Sequence, residues 1–119
     1  MQPFSVTVQH GPFLLLVAIG DGAYCDALGM IDMAAAIFHA AGYERVLFDS
    51  KGATFRLSRE EAAKIGQHIA LRLAGARCVG TVVQQRSPGG AGEHAAQAAG
   101  LNIRTFTDLN DGFEWMREG

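Results

Sequence analysis

Asp49-Ser50-Lys51-Gly52 places an acid, a hydroxyl and an amine side by side, directly after the apolar run Val46-Leu47-Phe48. In an open α/β sheet, ligands bind at the carboxyl ends of parallel strands. These residue types would therefore suit an acid or a phosphoacceptor in a small crevice. The same residues also suit a plain polar turn, in which the Asp49 carboxylate accepts hydrogen bonds from the backbone just downstream. That second reading asks less of the sequence. A phosphoacceptor site of the receiver type needs further acids after the first strand and a lysine after the fifth. Here the last strand runs into Phe106-Thr107-Asp108, so that chemistry is rejected.

Other reactive side chains are no better gathered. Ser87-Pro88-Gly89-Gly90-Ala91-Gly92 lies between a strand and a helix, where backbone N–H groups can hold an anion. It has neither the Lys-Ser/Thr tail of a phosphate-binding loop nor the GxGxxG spacing, and reads as a flexible connection. His10, His39, His68 and His94 show no HxxxH spacing, so no metal site is expected. His68 shares a helix face with Glu61, Lys64 and Arg72 and is expected in solvent, and His39 follows Asp32 by one heptad on a polar face. No GxSxG elbow exists for a serine nucleophile. Cys25 and Cys78 are far apart. Cys78 opens an apolar strand and reads as a buried thiol. Cys25 sits near a helix start, where the dipole can activate a thiolate, but no local partner supports reactivity. No acid and base converge, so no catalytic residue, cofactor or enzymatic activity is expected.

The elements that must carry these residues follow a rhythm of strand, turn and helix. Phe4, Val6 and Val8 alternate with polar residues as in a half-buried strand. Gly11-Pro12 marks a turn, and Phe13 to Ile19 is apolar throughout, which reads as a strand buried on both faces. Asp26 to Ala41 is helical, with Ala27, Ile31, Ala34, Phe38 and Ala41 on one face and Gly42 as the stop. Arg45 to Phe48 is the next strand. Ser58 and Glu61 form a capping box that opens a helix with Ala62, Ile65, Ile69 and Leu73 inward, stopping at Gly75. Cys78 to Val83 is a strand, Glu93 to Ala99 a short helix, Asn102 to Phe106 a strand. A capped helix anchored by Trp115 closes the chain. The order ββαβαβαβα predicts an α/β domain over residues 1–119: a mostly parallel five-stranded sheet, an N-terminal hairpin and four helices with right-handed crossovers. Val17, Ile31, Phe38, Leu47, Ile65, Ile69, Val82 and Ile103 are expected to be buried.

Composition narrows the function. The net charge is -2 and no basic stripe exists, which argues against nucleic acid. The longest apolar run is too short to span a bilayer, and the first residues do not read as a signal peptide. A cytoplasmic protein is expected.

From Asp49 onward the chain resembles the STAS family, the sulphate transporter and anti-sigma-factor antagonist domain, as a divergent member. That family reads D-L-S-G-V-T-F-I-D-S-S-G across its third strand and second helix start. Asp49, Gly52, Thr54, Phe55 and Ser58 match it in register, and the element order agrees along the whole chain. The resemblance implies a SpoIIAA-like β-α superhelix. It also implies protein–protein recognition by the second helix and adjoining loops. Where the family carries its phosphoacceptor serine this chain has Arg59, flanked by Leu57 and Glu60 in place of the family's Asp and Gly. The resemblance thus implies the scaffold without the phosphorylation switch.

The expected interaction face comprises Asp49, Ser50, Lys51, Arg56, Ser58, Arg59, Glu60 and Lys64. Its partner would be a protein, such as a signalling regulator, or a second copy forming a homodimer. The alternative is a small-ligand carrier or sensor. Its pocket would lie between Asp49–Gly52, the Gly20–Gly22 turn and the Gln84–Gly92 loop.

Overall fold

The computed structural model describes residues 2–85 and 90–118. Five strands form one sheet in the order β1-β2-β3-β4-β5. They are β1 Ser5–Gln9, β2 Leu14–Gly22, β3 Arg45–Phe55, β4 Cys78–Val82 and β5 Ile103–Phe106. The helices are α1 Tyr24–Ala41, α2 Arg59–Arg72, α3 Ala91–Ala98 and α4 Leu109–Glu118. β1 and β2 are antiparallel and all later pairs are parallel. The hairpin, the parallel ladder and the helix count agree with the sequence-based expectation.

Successive neighbours joined by right-handed crossovers put α1, α2 and α3 on one face of the sheet. Leu14, Leu16, Val46, Phe48, Val79 and Ile103 point toward them, joined by Ile31, Phe38, Ile69 and Leu73 from the helices. Phe4, Val6 and Val8 pack at the edge of the same cluster. α4 covers the opposite face over β3, β4 and β5. There Leu47, Cys78, Val82 and Met116 are fully buried. Burial pushes the Cys78 thiol pKa up, against the lowering influence of the Arg45 guanidinium. The thiol is therefore held neutral, as expected for an apolar strand. α4 is capped by Asp108, whose carboxylate accepts from the Asn110 N–H at 2.8 Å. Trp115 packs against Phe106, and the Arg104 guanidinium lies 5.3 Å from the Trp115 ring centre.

The structure corrects several expectations. β2 is not buried on both faces: Val17 is half-buried and Ile19 is 41% exposed. α4 contacts β3, β4 and β5 and leaves β2 beside the polar Ser5 and Thr7 of β1. Ile65 is only half-buried because it borders a hollow described below. Ala41 is exposed at the last position of α1.

The largest correction concerns Asp49-Ser50-Lys51-Gly52. It is not a turn, because β3 runs through it to Phe55. The register with β2 shifts here: Asp49 pairs with Val17 and Gly52 with Ile19, so β3 carries one extra residue. Asp49 Oδ1 accepts from the Lys51 N–H at 3.1 Å and holds this bulge. The extra residue inverts the alternation of faces. Ala53 and Phe55 thereby join the helix-covered core and are not turned to the other face. The polar segment extends the sheet and does not end it.

Candidate functional site

The eight expected face residues divide into a strand group and a helix group. Asp49, Ser50 and Lys51 lie in the β3 bulge. The Lys51 carbonyl accepts from Gln84 Nε2 at 2.6 Å, tying the bulge to the end of β4. The helix group comprises Arg56 in the connection after β3, the N-cap Ser58, and Arg59, Glu60 and Lys64 on the first turns of α2. Ser58 Oγ accepts from the Glu61 N–H and Glu61 Oε1 from the Ser58 N–H, each at 3.0 Å. The capping box is thus complete and two of the helix's free N–H donors are satisfied. Arg56, Arg59, Glu60 and Lys64 are exposed, and Lys64 pairs with Glu60 at 3.3 Å, one turn apart. Among the described residues no hydrogen bond or ion pair joins the strand group to the helix group. Ser50 faces inward with Phe55 and Leu57, away from the exposed charges.

Inward of both groups is a hollow of about 420 Å³. It lies on the helix-covered face, above β3, β4 and β5 and beneath α1, α2 and α3. Met30, Ile31, Phe48, Phe55, Ile65 and Ile69 supply most of its apolar wall. Ser50, Thr81 and Thr105 bring hydroxyls from the sheet, and Thr81 and Thr105 hydrogen-bond each other at 3.0 Å. Glu93 and His94 border it from α3. Of the three segments expected to frame a pocket, Asp49–Gly52 contributes Ser50 to the lining of the hollow and the Gln84–Gly92 loop contributes Gly90 and Gly92. Gly20–Gly22 does not line it. Gly20 instead lies against the Pro3 carbonyl, in a backbone conformation with φ 92°. Ser87, Pro88 and Gly89 lie outside the described residues.

Sequence reasoning missed the apolar wall of the hollow, because its residues come from several elements and each looks like core. It also missed a polar cluster between α1 and α2. His68 Nε2 donates to Asp32 Oδ1 at 2.7 Å, Arg72 Nε lies 3.1 Å from the same oxygen, and His39 Nε2 donates to the Arg72 carbonyl at 3.1 Å. His68 is thus not a solvated side chain with Glu61 and Lys64 but a link between helices. The pairing of Asp32 on α1 with His68 on α2 required the tertiary fold. Among the described residues no three His, Cys, Asp or Glu side chains are grouped to hold a metal ion. No helix among them is long and apolar enough to cross a membrane.

The architecture is the SpoIIAA-like α/β fold. A solved structure of an uncharacterised protein from the DUF3478 family with a SpoIIAA-like fold, from Shewanella loihica PV-4, superposes with a TM-score of 0.58. It covers 98% of this chain and 95% of its own at 16% identity. The Bacillus cell fate determinant SpoIIAA, in its phosphorylated form, superposes with a TM-score of 0.54. It covers 95% of this chain and 99% of its own at 10% identity. No protein-family model matches the sequence, and no curated protein does. At such identities the likeness is one of fold. It agrees with the architecture that the Asp49–Glu60 resemblance implied.

Proposed function

We propose that this chain is a non-enzymatic regulatory module that binds a protein partner through the first turns of α2. One observation carries the reading. α2 commits Ile69 and Leu73 to the core and turns Arg59, Glu60 and Lys64 to solvent. Exposed charge of both signs suits orientation and specificity more than bulk affinity. The SpoIIAA-like fold supports the reading, since SpoIIAA itself is a cell fate determinant with a phosphorylated form. Here Arg59 stands where the family's phosphoacceptor would be, and Ser58 is engaged as a cap. Regulation would therefore run through partner binding and not through phosphate on α2. A cytoplasmic signalling protein fits such a surface, and a second copy of the chain is the other partner to test.

The test is association kinetics of Arg59→Glu/Lys64→Glu with a partner found by pull-down, at two salt concentrations. Association should slow at low salt and the difference should shrink as salt rises. Unchanged association at low salt would place the partner elsewhere. The second reading, a small-ligand carrier or sensor, gains support from the hollow beneath α2.

A further inference from the structure

Protein interiors are packed like organic crystals, with few voids larger than a water molecule. A hollow of about 420 Å³ falls instead in the range of pockets that take small molecules. Fixed elements hold its walls apart. The floor is the parallel ladder of β3, β4 and β5. The roof is α2 against α3, whose backbones meet at Gly66 and Gly92. A Cβ built on Gly66 would collide with the Gly92 carbonyl, and one on Gly92 would lie 3.1 Å from the Ala62 carbonyl. Two helices already in backbone contact approach no further. On the remaining side the Asp32, His68 and Arg72 cluster ties α1 to α2.

We propose that this hollow is a binding site for an uncharged, largely apolar small molecule carrying one hydroxyl or carbonyl group. The size follows from volume. An apolar cavity of about 150 Å³ takes benzene, so at the same volume per atom this one takes about seventeen heavy atoms. The charge follows from the lining. Among the described residues no lysine or arginine borders the hollow, and its ionisable neighbours there are Glu93 and His94. An anion placed there would be desolvated beside the Glu93 carboxylate. The single polar group follows from Ser50, whose hydroxyl faces the hollow and has no hydrogen-bond partner among the described residues. The Thr81–Thr105 pair on the floor supplies a second polar spot. The apolar remainder would lie among Met30, Phe48, Phe55 and Ile65.

The probe is phenylnaphthylamine, an uncharged aromatic of about this size whose fluorescence rises in apolar surroundings, titrated into the full chain. Saturable binding at one equivalent is expected. Ile65→Trp, which fills the hollow, should weaken it by about tenfold or more. Ala62→Leu makes the same test with a smaller intrusion, should the tryptophan prevent folding. Leu71→Ser, at a site 74% exposed, should leave affinity unchanged. The sulfonated analogue, anilinonaphthalenesulfonate, should bind about tenfold more weakly. Absent or non-saturable binding would overturn the proposal. So would loss on Leu71→Ser with none on the filling variants, or a sulfonate that binds as tightly as the neutral probe. Arg59→Glu/Lys64→Glu should not change probe affinity, which separates this site from the partner face.

Discussion

The two faces of the sheet are covered in opposite ways. Three helices lie on one, yet a hollow of about 420 Å³ remains beneath them. One ten-residue helix lies on the other over β3 to β5, and where its Met116 meets the sheet Leu47, Cys78 and Val82 are wholly buried, while β2 beyond its reach leaves Ile19 41% exposed. The amount of cover therefore does not decide how well a face is filled. What decides it is how closely the covering backbone approaches. α4 settles through its own Gly112 onto the sheet at Gly80, where missing side chains let it come near: a Cβ on Gly80 would lie 2.7 Å from Leu47 and 3.1 Å from Met116, and one on Gly112 3.1 Å from Val82. On the opposite face the glycines Gly66 and Gly92 are spent between two helices. They bring the α2 and α3 backbones into contact, above the hollow. The same residue type draws a helix onto the sheet on one face and draws two helices together on the other.

The largest effect that sharpens this contrast is expected on the dense face. Leu47→Ala should destabilise the fold by about 4 kcal/mol, because nothing around Leu47 can move in to fill the cavity. Ile65→Ala, beside the hollow, should cost no more than about 1 kcal/mol, since part of that side chain already lacks packed neighbours. Chemical denaturation of both variants makes the comparison, and equal losses would break it.

A somewhat smaller effect belongs to the helix contact. Gly66→Ala forces α2 from α3 and should cost about 2 kcal/mol, the usual range for overpacking. Backbone amide shifts should concentrate in α2 and α3 and spare α4. An alanine accepted without loss would mean that this contact does not prop the roof.

The cap comes next. Ser58→Ala should lower stability by about 1 kcal/mol, read by thermal or denaturant unfolding. Ser58→Asp, which keeps a capping oxygen, should restore most of it. A loss that aspartate does not restore would assign Ser58 some role beyond the cap. The smallest effect is expected at the cluster joining α1 to α2. Asp32→Asn should cost about 0.5 kcal/mol, because its partners are partly exposed and such pairs contribute little. A loss several times larger would make that cluster, and not the glycine contact, the main support of the hollow.

Local signals were legible where one segment carries the whole message. Ser58 and Glu61 announce the start of α2 through a bond that spans one helical turn. Gly42 ends α1 in the left-handed conformation, at φ 73°. The order of strands and helices, with short connections, left little choice of topology. Asp49-Ser50-Lys51-Gly52 was misread because polar residues after an apolar strand look like a turn. Only the register against β2 shows that they form a bulge. The single extra residue there decides whether Phe55 faces the hollow or the opposite side.

By itself, then, the amino-acid sequence determined the α/β order and the capped second helix. These depend on periodicity and on bonds within a few residues. The tertiary structure alone decided that Val17 and Ile19 stay partly uncovered, that His68 meets Asp32, and that the α1–α3 face is hollow. Each of these depends on how far apart two elements stand. That distance is set where backbones touch, as at Gly66 and Gly92, and no pattern along one segment encodes which glycine will meet which carbonyl.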